Sequence, residues 1–374
     1  MFIERTEKIE KQIEMGKVLA IYGPRQSGKT SLIRRYLEQT ALKYKLYQGD
    51  DLSVQELFSI ARMDRLKAGI GDIDLLVIDE AQVIPNIGSV LKLIVDSNLR
   101  LSVIISGSSS FELSQKIGEP LVGRYNDIHL YPLSLAELQG SPLFDPILFP
   151  DVIMRYGGYP AVATAGNEEE KTDTLRKLVE SYLLKDILSF DRLKKPDALV
   201  KLLTLLAHQI GSEVSVNELS VTLGVPRTTV THYLDLLERS FVIFPLGAFS
   251  NNLRNEVVKK KKYYFYDLGI RNMLVKNFSE LRGRADVGGL WENFLILERK
   301  KILETERFYG STHFWRLTSG SEVDYVEYVN GTPRGYEFSY GNTGKKRIPA
   351  SWKESYPNAD WKIVHKENYL DFLK

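Results

Sequence analysis

An apolar run, Lys17-Val18-Leu19-Ala20-Ile21-Tyr22, stops at a glycine, and the chain then reads Gly23-Pro24-Arg25-Gln26-Ser27-Gly28-Lys29-Thr30 before Ser31-Leu32-Ile33-Arg34-Arg35-Tyr36-Leu37, whose apolar residues recur at helical spacing. A buried strand that turns through two glycines straight into a helix leaves few folds open, because its return strands need a parallel sheet to lie in. Gly23 and Gly28 let the backbone curl so that successive N–H groups point inward, and the helix that follows adds its positive end to the same place. The spacing is G-x-x-x-x-G-K-[ST], a phosphate cradle when it sits between a strand and a helix, as here. Lys29 is placed to reach the β- and γ-phosphates of a nucleoside triphosphate and Thr30 to offer its hydroxyl to Mg²⁺. Pro24, Arg25, Gln26, Ser27 and Ser31 complete the loop.

Two further runs fit the same sheet. Asp74-Leu75-Leu76-Val77-Ile78-Asp79-Glu80 is a continuous apolar strand that ends in acids, at the end where parallel sheets bind ligands. Asp79 would orient the magnesium through water, and Glu80 would polarise the attacking water as general base. Leu101-Ser102-Val103-Ile104-Ile105-Ser106-Gly107-Ser108 closes a third strand with hydroxyls. There Ser106 or Ser108 senses the γ-phosphate, or a serine caps the helix beginning near Phe111.

Bulk properties limit the rest. A chain of 374 residues should divide into two to four domains. With 50 Lys plus Arg against 48 Asp plus Glu, no global field draws it onto nucleic acid, so any such contact needs a local patch. Cysteine is absent, which removes disulfides, thiolate nucleophiles and Cys-based zinc sites and fits a reducing compartment. The first residues are charged and alternate like a helix rather than a secretion signal, and no run of apolar residues is long enough to span a bilayer. The expected place is the cytoplasm, with no membrane partner. The five histidines have no ligand spacing, and neither Ser-His-Asp grammar nor a dinucleotide turn is present.

Pro142, Pro146 and Pro150 break regular structure and mark a boundary, after which Leu175, Leu178, Tyr182 and Leu183 recur as in a helical lid. Val216–Leu223, Gly224-Val225 and Pro226–Glu238 read as helix, tight turn and second helix, with Phe241–Leu246 as a wing strand. Pro226, Arg227, Thr228, Thr229, Thr231 and His232 open the second helix where a DNA reader places its contacts. Arg254, Lys259, Lys260, Lys261, Lys262 and Arg271, interleaved with Tyr263, Tyr264, Phe265 and Tyr266, suit nucleic acid. The same aromatics alternate as a buried strand would, leaving a protein-docking module open as the other reading.

The runs IYGPRQSGKTSL, LLVIDEAQ, ISGSSS and GRYNDIHLYPLSLAEL, followed by GGYPAVA (157–163), YLLKDIL (182–188) and KKYYFYDLGIRN (261–272), resemble uncharacterised bacterial and archaeal ATPases. These couple an AAA-type P-loop domain to a winged helix and a carboxy-terminal domain of unknown function. The resemblance implies an α/β protein with a P-loop NTPase parallel sheet and helical lid, a winged-helix domain and a C-terminal mixed α/β nuclease-like domain, divided at 1–140, 141–205, 206–280 and 281–374. It also implies an ATP-hydrolysing switch of the AAA or STAND-like type, with a partner bound through the last domain and homo-oligomers as one form. An ATP-dependent DNA-binding protein or DNA-processing nuclease is the alternative. Arg124 of Gly123-Arg124 would lie near the γ-phosphate in its own subunit or a neighbour's, unless it makes a surface salt bridge; Arg155 is a second candidate for that task.

Glu322 and Asp324 share one face of a strand, and Glu337 follows on the next strand across a Gly-Thr-Pro turn. Helix, then meander, is the order of the restriction-endonuclease-like fold that the last domain of the resembled family looks like. Glu292 would come from the helix, Asp324 and Glu337 from the strands, and the three could hold a metal. Ser339 stands where active relatives of that fold carry lysine, so Lys345, Lys346 or Arg347 would have to replace its charge. The expectation is a vestigial site without nuclease activity.

Overall fold

A computed structural model describes residues 2–97, 100–107, 121–141, 149–180, 195–250, 261–317, 319–341 and 347–374. The chain forms two compact units, Met1–Leu133 with Arg239–Phe241, and Ser134–Glu238 with Val242–Lys374. Among the described residues no helix is long and apolar enough to cross a membrane.

The first unit is a five-stranded parallel sheet of β1 (Val18–Tyr22), β2 (Tyr44–Gln48), β3 (Leu75–Asp79), β4 (Ser102–Gly107) and β5 (Tyr125–His129), ordered β2-β3-β4-β1-β5. β1, β3 and β4 are buried at every residue, which is why each is built around a continuous apolar run. The helix Lys29–Gln39 sends Leu32, Ile33, Tyr36 and Leu37 onto Leu19, Ile21, Leu75, Val77 and Ile104. The helix Ile87–Asp96 buries Val90, Leu91 and Ile94.

The second unit holds one seven-stranded sheet. Its strands are β6 (Glu213–Val214), β7 (Ile243–Ala248), β8 (Lys261–Phe265), β9 (Ser311–Arg316), β10 (Glu322–Val329), β11 (Thr332–Phe338) and β12 (Asp360–Val364), in the order β12-β11-β10-β9-β7-β8-β6. The helices Pro196–His208, Val216–Leu223 and Arg227–Arg239 precede the hairpin β7–β8, and Gly224 ends the middle one in the left-handed region. Leu202, Leu206, Leu219, Val230, Tyr233, Leu237, Ile243 and Phe265 share their core. The helix Val287–Thr305, the meander β9–β10–β11, the helix Ala350–Ser355 and β12 parallel to β11 make up the remainder.

This sheet crosses the expected division at 280. β7 pairs in parallel with β9 through Gly247 and Ala248, and Phe249 just beyond it donates its N–H to Phe314 O at 2.6 Å. The Phe249 ring packs into a cluster with Trp315, Val323, Val326 and Trp352, so the hairpin and the meander share apolar burial as well as backbone hydrogen bonds. The turn from β10 to β11 is also one step earlier than expected. Asn330 and Gly331, both at positive φ, form a two-residue hairpin loop, and Thr332 and Pro333 already belong to β11.

Two motifs of the resembled family prove to be one structural lock. Asp267 caps the helix Leu268–Leu274 through Ile270 N and also accepts from Gly158 N at 2.7 Å. Gly157, at φ 75, lies so near that a Cβ would stand 2.1 Å from Asp267 Oδ1, and one on Gly269 would stand 2.1 Å from Tyr156 O. Asn272 Nδ2 donates to Met154 O and Arg155 O. GGYPAVA and YDLGIRN are therefore required by close packing between a helix end and a helix start.

Burial pushes the Asp267 carboxyl up to about 6, although the N–H donors of Ile270 and Gly158 pull the other way. Its unfolded value lies near ~3.9, so between pH ~4 and the folded value the native state keeps a proton that the unfolded chain has lost. The stabilisation is fully present below the unfolded value and is lost as pH rises through about 6, by up to about 3 kcal/mol. Urea midpoints should fall over this interval in the wild type, and Asp267→Asn should flatten the slope; equal slopes would show that the carboxyl titrates normally.

Candidate nucleotide site and the acid cluster

The loop after β1 leaves the sheet at the C-terminal edge. Gly23, at φ 153, passes so close to β5 that a Cβ would stand 2.2 Å from Leu130 O, and Gly28, in the left-handed region, starts the helix at Lys29. Gln26 takes positive φ without being glycine. Ser27 Oγ is buried with no hydrogen-bond partner, a polar atom left open within the cradle. Lys29 is buried, and its Nζ donates to Gly23 O at 2.8 Å and Pro24 O at 2.9 Å. Burial pulls it down to about 8 against the opposing charges of Glu80 and Asp79.

Asp79 joins three elements at this edge. Its Oδ2 accepts from Thr30 Oγ1 at 2.7 Å, and its Oδ1 accepts from Ser106 Oγ and from Glu80 N at 3.1 Å. Glu80 is held at φ 52, ψ 40, and its carboxylate accepts from Gln82 Nε2 at 2.5 Å. A non-glycine residue in this region is strained, and such strain persists only where the surroundings over-determine it. Thr30, Asp79, Glu80, Ser106 and Lys29 thus come together at one end of the sheet. Ser108 and Phe111 lie outside the described residues.

Two supports of the site were not foreseen from the sequence. Arg5, buried, donates from Nη2 to Tyr131 O at 2.6 Å and from Nη1 to Ser27 O at 3.4 Å, holding the loop from behind. Gly49 donates its N–H to Asp79 O at 2.7 Å, and a Cβ there would stand 2.4 Å from Glu80 O. Gly49 falls directly after the YKLYQ strand, so a glycine at a strand end was the one available clue.

Arg124 is placed otherwise than expected for its own subunit. Its carbonyl accepts from Val18 N, so it sits at the start of β1 and β5, while the loop follows their ends. Five strand residues at ~3.3 Å each put it roughly 16 Å from the cradle. Its guanidinium pairs with Asp96 at 2.9 Å and is 43% exposed. Arg155 is also committed elsewhere. It donates to Phe278 O and pairs with Glu168 at 2.9 Å.

In the second unit the acids gather around an unforeseen lysine. Lys262 Nζ lies 3.0 Å from Glu292 Oε1 and 2.6 Å from Glu322 Oε1. Tyr264 OH donates to the same Glu292 oxygen at 2.5 Å, and Asp324 Oδ2 accepts from Phe338 N at 2.8 Å. Burial pushes Glu292 up to about 7, opposed by Lys262 and assisted by the charge of Asp324. Burial also works against the charge of Lys262, but Glu292 and Glu322 outweigh it and hold the ammonium above its usual range.

The expected trio of Glu292, Asp324 and Glu337 is corrected here. Among the described residues no group of three His, Cys, Asp or Glu side chains is arranged to hold a metal ion. Glu322 is the carboxylate that joins Glu292 on Lys262, and Glu337, half-buried, pairs with Ile363 of β12. Ser339 Oγ turns to Gly341 O; Lys345 and Lys346 lie outside the described residues. Lys262 and Arg271 are both buried, which removes them from the proposed basic surface patch, while Lys261 is exposed. Arg271 is held by Ala207 O and Asp286. Arg254, Lys259 and Lys260 lie outside the described residues.

A parallel sheet with this loop at the C-terminal edge of β1 defines a P-loop NTPase fold. An AAA domain model matches residues 15–139. Two domains of unknown function match residues 151–281, DUF8612, and 287–370, DUF4143. Among curated proteins, the chain is 26% identical over 349 residues to the uncharacterized protein Rv2008c of Mycobacterium tuberculosis, covering 92% of this chain and 75% of that one. It is 26% identical over 318 residues to the uncharacterized protein MJ1637 of Methanocaldococcus jannaschii, covering 72% of this chain and 65% of that one. Among solved structures, the S. cerevisiae Hsp104-ADP complex matches at a TM-score of 0.27 and 16% identity, covering 61% of this chain and 37% of that one. The chain therefore joins an AAA domain to a DUF4143 domain, and its relatives are uncharacterised bacterial and archaeal proteins, as the sequence resemblance implied.

Replacing Arg5 with methionine should lower stability by about 1–3 kcal/mol, because two buried carbonyls lose their donor. It should also weaken nucleotide binding by loosening the Ser27 backbone. Thermal melts and a nucleotide titration check both effects; unchanged affinity would show that the loop keeps its shape unaided.

Proposed function

We propose that the chain binds ATP with Mg²⁺ at the loop 23–30, hydrolyses it, and uses the nucleotide state to control the second unit as a molecular switch. The observation that carries this reading is the Thr30–Asp79–Ser106 hydrogen-bond chain beside Lys29 at the C-terminal edge of a parallel sheet. The orphaned Ser27 hydroxyl and the close-packed Gly23 fit a phosphate cradle. Thr30 and Asp79 fit a metal held by one hydroxyl and, through water, one carboxylate. Mg²⁺ there would neutralise charge on the β- and γ-phosphate oxygens.

The remaining chemistry belongs to the chain's own groups. Lys29 exchanges two loop carbonyls for phosphate oxygens, a change that favours its charged form. Glu80 accepts the proton of the attacking water, in a geometry set by its strained backbone and by Gln82. Ser106 orients Asp79. Arg124 can serve only the nucleotide of a neighbouring copy, which makes its role conditional on homo-oligomers.

The order helix, short strand, helix, turn, helix, hairpin over 196–265 supports a winged helix. Arg227, Thr228, Thr231 and His232 are exposed on its second turn-flanking helix. Burial of Lys262 and Arg271 weakens the DNA reading and favours a protein partner. ATPase rates with and without duplex DNA at low salt separate the two, because phosphate contacts are strongest there. Lys29→Ala should abolish ATP binding. Glu80→Gln should retain binding and lose turnover by about a hundredfold or more. Retained affinity in the first variant, or retained turnover in the second, would refute the assignment.

A further inference from the structure

Lys262 is 2% exposed and enters the acid cluster from β8, a strand outside the C-terminal meander. Its ammonium meets Glu292 from the helix Val287–Thr305 and Glu322 from β10, and it lies over the Phe314 ring at 5.2 Å. Arg316 adds a second cation near Glu322, at 3.8 Å, and near Glu213, at 3.7 Å. The Glu292 oxygen nearest the lysine also accepts from Tyr264, and Asp324 spends one oxygen on the Phe338 N–H.

A divalent site needs carboxylate oxygens that converge on a free centre at about 2.0–2.6 Å. Here the oxygens converge on an ammonium that cannot leave without stranding a buried charge. The lysine is salt-bridged directly to one oxygen each of Glu292 and Glu322, which takes up the oxygens a metal would need. We propose that the Lys262 ammonium is the resident cation of this cluster, so that the C-terminal domain excludes divalent metal and uses its acids to fasten β8 to the helix Val287–Thr305 and to β10. The residues therefore do not fit the metal that a nuclease-like fold implies.

The test is Mn²⁺ uptake by the full chain without nucleotide, followed by loss of the free-ion magnetic resonance signal. Each protein is compared with its Asp324→Asn counterpart, so that metal held elsewhere cancels. The wild type should take up no more Mn²⁺ than Asp324→Asn. Lys262→Met should bind a further Mn²⁺ at least about tenfold more tightly than Lys262→Met/Asp324→Asn, and its lowered melting temperature should rise with Mn²⁺. If the methionine variant does not fold, Lys262→Gln takes its place. Asp324-dependent uptake by the wild type, or no gain once the lysine is removed from a folded chain, overturns the proposal.

Discussion

Asp79 is the interaction on which the first unit's chemistry depends. A carboxylate buried at the end of a wholly apolar strand is costly unless its oxygens are hydrogen-bonded. Here both are, by the first turn of the loop helix through Thr30 and by β4 through Ser106. The bonds that satisfy the carboxylate also set the spacing between the loop, β3 and β4. Stability and site geometry are thus one requirement, and Glu80 inherits its backbone strain from the strand end that Asp79 anchors.

Much of this unit was legible in the sequence, for physical reasons. Strands buried on both sides must be apolar throughout, so β1, β3 and β4 announced themselves. Glycines that the loop needs cannot be replaced, so Gly23 and Gly28 did as well. Arg5 was not legible, because its partners are two backbone carbonyls contributed by residues far along the chain. No sequence pattern records a bond to a distant carbonyl. The place of Arg124 within its own subunit was not legible for a related reason. Proximity to a strand is visible in sequence, but the end of the sheet it occupies depends on the register of β5 against β1.

The second unit shows the same limit on a larger scale. Hairpin and meander each read as local units, and a boundary between them followed naturally. Their fusion rests on a two-residue parallel pairing, on Phe249 packed among two tryptophans and two valines, and on the ion pairs from Lys262 to Glu292 and Glu322. Such a junction is made of non-local contacts whose residues are unremarkable in their own neighbourhoods. The Asn-Gly loop between β10 and β11 was a local signal, and its positive φ values follow from residue type alone.

Burial decides what a charged residue does, and sequence position does not. The run Lys261-Lys262-Tyr263-Tyr264-Phe265 alternates around a strand, so adjacent lysines must face opposite sides of it. Lys261 is exposed and Lys262 is enclosed, which divides an apparent basic patch into one solvated charge and one structural cation. The enclosed lysine then requires acids nearby, and it meets Glu292 of the expected trio together with Glu322. A converging set of carboxylates is therefore evidence for a cation, and only the geometry of the neighbouring strands can say whether that cation is a metal or part of the chain.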